Sequence, residues 1–284
     1  MNGGVVKMKQ TLDRTSTLLS WLRCDVSLDK SVEELYQEFG SAQPFPHLVL
    51  DNLFPASLLE ALLDELPPIT HEKWIHHHED ELDKWNLRSA VDLGETAFQF
   101  AAVLNSAAFL YFLSEITGIK ALLPDPYLGG GAYSVYSKGG KFDVHADRNT
   151  DPNTGLTRRL ALLIYLNQSW TDRCGGQLEL WNQEGTRCEK VIAPIFNRTV
   201  IFEIGDKNYH GVRPVECVNG FARKCFALYY HTVGKDVVAH NSIYTPSLYQ
   251  GKGFLLRRIV KDAVPPFLWR TLKRLRSVDA ASAG

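Results

Sequence analysis

The apolar residues divide the chain into a helical first part and a strand-rich second part. Before Pro124 they recur at spacings of three and four, as on one face of an amphipathic helix. The pattern predicts two short helices within residues 15–40, a third that begins at Pro55 and ends at Pro67-Pro68, and a helical stretch over 96–116. The apolar run 47–50 predicts one short strand among them.

After Pro124 the apolar runs become short and are separated by turns rich in Gly, Pro and Asn. They predict strands over 133–136, 158–166, 177–181, 190–193, 199–204 and 224–231. Many short strands behind a helical layer predict an α+β, mainly β fold: a β-sandwich or jelly roll braced by helices. We expect a helical layer over 1–125, a β core over 126–235 and a C-terminal extension over 236–284.

The composition of the 284 residues, with 45% hydrophobic and 22% charged positions, is that of a globular protein and excludes a disordered chain. The 31 basic residues balance 32 acidic ones, so no basic field favours nucleic acid. No apolar run approaches the ~20 residues of a membrane span. The first residues do not predict a secretory signal. Five scattered cysteines without a CxxC pair predict reduced thiols and a cytoplasmic protein.

One histidine and one carboxylate, His145 and Asp147, are two positions apart in a segment with strand character. Residues i and i+2 of a strand face the same side, so both are able to bind one ion. His210, much later in the chain, is the candidate for a third ligand. Two histidines and a carboxylate on one face of an ion are the facial triad of non-haem Fe(II) oxygenases.

The same His-x-Asp spacing occurs a second time, in His78-Glu79-Asp80. This copy lies in the polar run 76–81, which has neither a strand pattern nor glycine turns. We interpret the run as a solvated charged surface, with adventitious metal binding as the alternative.

Arg223 stands at the start of an apolar predicted strand. An arginine inside a β-barrel is a costly unpaired charge unless a carboxylate meets it. A dicarboxylate that chelates iron at one end would bring that carboxylate at its other end.

Six short segments follow one another in a fixed order between residues 127 and 232. They are 136–147 with the Gly139-Gly140 turn, Tyr165-Leu166-Asn167, Gly175 to Leu178, Asn197 to Phe202, His210 to Val215, and Arg223-Lys224-Cys225. In this order they resemble the Fe(II)/2-oxoglutarate-dependent dioxygenase superfamily, specifically its prolyl 4-hydroxylase-like branch. The joint match carries the resemblance, since each segment alone is short.

The resemblance implies a double-stranded β-helix, the cupin-like form of the jelly roll. It implies that His145, Asp147 and His210 bind Fe(II) and act as the catalytic residues. The cosubstrates are then 2-oxoglutarate and O₂, with ascorbate in a supporting role. Arg223 would bind the far carboxylate of 2-oxoglutarate with help from the Tyr136 hydroxyl. Cys225 stands where the family has a serine, and Lys224 is the alternative anchor.

By the same resemblance the expected activity is hydroxylation of an unactivated C–H bond with release of succinate and CO₂. Asp147 disfavours halogenation, which needs a small residue there. Tyr229 stands where the nucleic-acid-repair branch has a second arginine, so we expect no nucleic acid substrate. A prolyl or other amino-acyl residue is the first candidate substrate. A free amino acid, a peptide natural product or a glycan intermediate stays open, as does a non-catalytic metal-binding jelly roll that binds or senses.

Several positions have two interpretations. Tyr136 is either part of the pocket or a core residue, and Trp181 and Phe142 either line the pocket or pack. His231 and His240 are interpreted as ordinary polar positions. Substrate choice is expected in loops at 71–95, 148–157 and 168–175. The basic amphipathic segment 266–276 is predicted to pack on its own domain, with a weak membrane-surface or protein contact as the alternative. The sequence does not indicate which oligomeric state the protein has.

Overall fold

The computed structural model describes residues 30–87, 89–217, 221–234 and 239–245. The helix predicted around Leu18 and the basic segment 266–276 lie outside the described residues.

Within the described ranges, four α-helices precede the main β region. They are α1 (Val32–Ser41), α2 (Ala56–Asp64), α3 (Glu95–Leu104) and α4 (Ala107–Thr117). Ser31 and Glu34 form a reciprocal capping box at the start of α1. The stretch predicted over 96–116 is two helices, because the chain leaves the helix at Asn105 and the Ser106 side chain caps α4 by accepting from Phe109 N.

In the part of the chain that the structure describes, twelve strands form one curled antiparallel sheet. They are β1 (His47–Asp51), β2 (Ile75–His78), β3 (Leu82–Leu87), β4 (Ala132–Tyr136), β5 (Lys141–Ala146), β6 (Thr157–Tyr165), β7 (Leu178–Trp181), β8 (Cys188–Ile192), β9 (Arg198–Glu203), β10 (His210–Val212), β11 (Arg223–Thr232) and β12 (Ile243–Tyr244). The order is β1-β9-β6-β11-β4-β3-β5-β10-β7-β8, with β2 on β3 and β12 on β5. This curled arrangement confirms the predicted jelly-roll double-stranded β-helix.

The strand β11 shows how the sheet separates two interiors. Phe226, Leu228 and Tyr230 point to one side and belong to the large core that the helices share. Cys225 and Ala227, the alternate residues, point into the barrel. The barrel side carries the polar groups of the candidate site.

The segment 75–87 differs from its prediction. It is not a loop but the hairpin of β2 and β3, and β3 joins the two halves of the sheet by pairing with both β4 and β5. The His76 side chain stacks on the Trp85 ring, with 3.8 Å between ring centroids. The interpretation of 76–81 as lacking strand structure was therefore wrong, although His76 and His78 are exposed as expected.

Within the described residues, no single helix has both the length and the apolar character needed to cross a membrane. α3 and α4 meet those criteria only as a pair, with a bend of 51° between them. Both helices contribute residues to the buried core.

Candidate active site

The His145 side chain lies on β5 and Asp147 follows one residue beyond the strand end. His145 is completely buried and Asp147 is 6% exposed. The Nε2 atom of His145 lies 3.2 Å from Oδ1 of Asp147. The spacing of two therefore places both groups on one side, as the sequence predicted.

His210 comes to these two residues through strand pairing. β10 runs antiparallel to β5, and the register places His210 directly opposite His145, with 4.5 Å between ring centroids. The Nε2 atom of His210 lies 3.6 Å from Oδ2 of Asp147. One nitrogen or oxygen from each of the three residues lies within 4.8 Å of the others.

Backbone carbonyls orient both imidazoles. Nδ1 of His145 donates to the carbonyl oxygen of Asp143 (2.7 Å), and Nδ1 of His210 donates to that of Asn208 (3.0 Å). A carbonyl only accepts, so the proton of each neutral ring is on Nδ1 and the lone pair is on Nε2. This outer hydrogen bond is the one that metal-binding histidines commonly make.

The ionisation states suit a cation. Burial alone would raise the pKa of Asp147, but the His210 and His145 rings beside it outweigh burial and lower that pKa. Burial, together with the neighbouring His145 ring, lowers the pKa of His210 to about 4. At neutral pH Asp147 is therefore a carboxylate and His210 a neutral imidazole, the forms that bind metal.

Two buried atoms of this set have no hydrogen-bond partner: Nε2 of His145 and Oδ2 of Asp147. Buried polar atoms are almost always satisfied, so this pair requires an explanation. A metal ion between the three side chains would satisfy both atoms. The residues thus fit a two-histidine, one-carboxylate iron site.

Arg223 lies in the same barrel interior and is 2% exposed. Its Nε donates to the carbonyl oxygen of Gly176 (2.7 Å) and its Nη2 donates to the Tyr165 hydroxyl (3.3 Å). Its guanidinium carbon lies 4.8 Å from the Tyr136 ring centroid and 4.9 Å from that of Tyr165. Among the described residues no carboxylate forms an ion pair with it.

Lys224, the alternative anchor, faces away from the barrel. It lines an outer groove of about 600 Å³ together with Trp74 and Phe221. Consecutive residues of a strand point to opposite faces, so Arg223 and Lys224 cannot both face the His-Asp-His set.

Three other residues that the sequence analysis considered for the pocket are Cys225, Phe142 and Trp181. The Cys225 thiol is buried in the barrel and donates to the Phe226 carbonyl oxygen (3.6 Å). The Phe142 ring stacks on His145, with 3.7 Å between ring centroids, and so lines the site. Trp181 is buried and donates through Nε1 to Glu179 (3.1 Å).

In the second His-x-Asp copy, His76 and His78 approach Asp83 of β3. Nε2 of His76 and Nδ1 of His78 lie 2.9 Å and 3.0 Å from its two carboxylate oxygens. Both histidines are exposed. In contrast to the buried set, the carboxylate oxygens here are already paired.

One expectation about the cysteines was wrong. Cys174 and Cys217 form a disulfide, whereas Cys188 and Cys225 are free thiols. An isolated pairing of Gly175 with Val215 lies beside them and brings the two segments together. The thiol argument for a cytoplasmic location no longer holds for this pair, and that location stays a prediction.

Sequence reasoning missed Lys84, which the structure places inside the barrel. Its Nζ lies over the Phe142 ring, 5.0 Å from the centroid. Asp147 and Arg223 are among the charges that act on it. Trp85 and Leu87 of β3 face the core, so Lys84 faces the other side of the strand. Prediction of 82–87 as a strand would have identified Lys84 as an inward-facing residue.

Solved structures share this fold at low sequence identity. A prolyl-4-hydroxylase from Pseudomonas putida is 19% identical, covers 72% of this chain and 100% of its own, and has a TM-score of 0.51. A prolyl hydroxylase from Trichoplax adhaerens, in complex with a hypoxia inducible factor peptide, is 19% identical, covers 70% and 88%, and has a TM-score of 0.50. No curated protein sequence matches the chain.

A jelly roll with a buried His-Asp-His set inside it defines the class of non-haem iron oxygenases. Residues 131–231 match the family model of the 2OG-Fe(II) oxygenase superfamily, and that range contains the set and Arg223. This region belongs to the 2OG-Fe(II) oxygenase superfamily, with a prolyl 4-hydroxylase-like fold. The matched region is that of an Fe(II)- and 2-oxoglutarate-dependent dioxygenase, which confirms the resemblance seen in the sequence.

Proposed function

We propose that the chain hydroxylates an unactivated C–H bond of a prolyl or other amino-acyl group, with His145, Asp147 and His210 holding Fe(II). In the bound state Fe(II) and 2-oxoglutarate activate O₂: one oxygen atom enters the substrate as a hydroxyl and the other enters succinate, with loss of CO₂. The shared fold of two prolyl hydroxylases supports the amino-acyl class. A small molecule with a similar group is the alternative substrate.

One observation carries this proposal. The unsatisfied atoms of His145 and Asp147 and the carboxylate-free guanidinium of Arg223 lie in one barrel interior. A ligand with a chelating end and a distal carboxylate satisfies both sets at once. 2-Oxoglutarate is such a ligand.

The histidines act by holding a lone pair in place. The Asp143 and Asn208 carbonyls fix each ring, so that Nε2 is ready for the ion without rearrangement. Asp147 fills the third protein position with a carboxylate, which leaves no room for halide and favours hydroxylation.

Arg223 orients the cosubstrate. The Gly176 carbonyl and the Tyr165 hydroxyl hold the guanidinium, and Tyr136 supports its face. Tyr136 therefore acts at the cosubstrate pocket as well as in packing. The Cys225 thiol adjoins Arg223 on the same strand face and is a weaker partner than the serine it replaces.

The test compares the two His-x-Asp copies. Protein with Fe(II), ascorbate, 2-oxoglutarate and O₂ is assayed for succinate with a panel of peptides and amino acids. Asp147→Ala is expected to lower Fe(II) affinity and to abolish succinate release, whereas Asp80→Ala leaves both nearly unchanged. Equal losses in the two variants would contradict the assignment, and a wild-type protein that binds Fe(II) but never releases succinate would favour a binding or sensing role.

A further inference from the structure

Lys84 projects from β3 into the barrel. Side chains alternate along a strand, so Lys84 shares its face with Asn86. The Asn86 amide donates to the hydroxyl of Ser134 on β4 (2.7 Å), and Ser134 lies on the same face of β4 as Tyr136. The face of β3 that carries Lys84 therefore looks toward the Arg223 pocket.

The Phe142 ring connects the Lys84 ammonium group to the metal-binding set. The Nζ of Lys84 is 5.0 Å from the centroid of the Phe142 ring, and the same ring stacks on His145 with 3.7 Å between ring centroids. Phe142 thus lies against both the ammonium and a predicted iron ligand. A group that contacts Lys84 would be close to the reacting centre.

Lys84 has no anionic partner within the described part of the chain: no hydrogen bond or ion pair involves its Nζ, and the Phe142 ring is its one cation–π contact. Burial lowers the pKa of Lys84 to about 8, so it still carries its charge at neutral pH. A partly buried ammonium without a counter-ion is unfavourable.

With Fe(II) and 2-oxoglutarate bound, the formal charges in the barrel interior sum to one positive charge. Arg158, the other cation that acts on Lys84, is paired with Asp151. The two charges of Fe(II) cancel those of the 2-oxoglutarate dianion. Arg223 and Lys84 then face Asp147 alone, so a second anion is needed for balance.

We propose that Lys84 binds a carboxylate of the primary substrate, so that the enzyme acts on a free amino acid or a C-terminal residue rather than on an internal residue. This inference rests on the function proposed above and names its substrate class. The carboxylate would lie near the C–H bond that is oxidised, because Lys84 lies near the predicted iron ligands.

The experiment compares acids with their primary amides. Binding of L-proline, L-prolinamide and other amino acid and dipeptide acid–amide pairs is measured calorimetrically without O₂, on protein holding Mn(II) and 2-oxoglutarate. Wild type is expected to bind at least one acid roughly tenfold or more tightly than its amide, the effect of a charge-assisted bond. Lys84→Met is expected to remove this preference and Lys84→Arg to retain part of it. Lys138→Met, at an exposed lysine, is the matched control.

Two results would overturn the inference. In one, wild type binds no acid of the panel more tightly than its amide. In the other, Lys84→Met weakens the binding of 2-oxoglutarate as much as it weakens the binding of the acids. That result would make Lys84 part of the cosubstrate site. Succinate release by the same wild-type sample in air tests the proposed function separately, so either failure is recognised for what it is.

Discussion

Tyr136 and Arg223 are directly opposed on the antiparallel strands β4 and β11, and the guanidinium carbon lies 4.8 Å from the tyrosine ring centroid. The ring covers one face of the arginine, while Gly176 and Tyr165 accept from two of its nitrogens. A buried arginine fixed this firmly is already oriented for a carboxylate, so little ordering cost remains when one binds.

The first prediction separates Arg223 from its neighbour. Arg223→Ala is expected to raise the KM for 2-oxoglutarate roughly 30-fold or more, the loss of a buried charge-assisted pair. Lys224→Ala is expected to change it less than threefold or so, because Lys224 faces the outer groove. Succinate release at varied 2-oxoglutarate measures both values, and the reverse order would move the anchor to Lys224.

A second prediction concerns Gly176, whose backbone has φ of +74°. A Cβ at this position would lie 3.0 Å from Cδ of Arg223, so Gly176→Ala must displace the anchor. We expect a several-fold higher KM for 2-oxoglutarate with unchanged Fe(II) affinity. Gly155→Ala is the control, because its φ of +71° imposes similar strain in open space. Equal effects in both variants would mean that strain alone is responsible.

The sequence was informative where the core demanded regular patterns. The near-continuous apolar runs of β6, β9 and β11 mark strands because both faces of these strands are largely buried. The order of the segments that contain His145 and His210 resembles that of a known family, and this resemblance predicted that the two side chains lie close together. The pairing of β5 with β10 supplied the physical reason.

The remaining features depend on contacts between distant segments. The hairpin of β2 and β3 lacks a strong apolar pattern because one strand is exposed. The residue type alone does not tell whether a lysine such as Lys84 faces the barrel interior or the solvent. The disulfide between Cys174 and Cys217 joins two segments outside the strands, which the isolated pairing of Gly175 with Val215 brings together. The spacing of the two cysteines in the sequence does not predict this pairing.

A third prediction follows from His231, a buried residue of β11. Burial, with the nearby charge of Arg158, lowers the pKa of His231 to about 4. The unfolded chain takes up this proton near pH 6.5 and the folded protein does not, so stability from this residue is present above pH 6.5 or so and is lost as the pH falls toward 4. The expected loss between pH 7 and 5 is about 2 kcal/mol.

The measurement is urea unfolding at both pH values. His231→Leu should lose about 2 kcal/mol less than wild type on acidification, whatever its stability at pH 7. His71→Leu, at an exposed histidine, should follow wild type. A His231→Leu protein with the same pH dependence as wild type would show that this histidine is not held neutral.

The most direct test of the iron assignment is crystallographic. Crystals grown without O₂ in the presence of Fe(II) and 2-oxoglutarate would be measured at the iron absorption edge, so that anomalous scattering locates the ion. We predict an iron peak bounded by Nε2 of His145, the Asp147 carboxylate and Nε2 of His210, with 2-oxoglutarate extending from it to Arg223. Iron at the exposed His76, His78 and Asp83 cluster, with none at the buried set, would contradict the account.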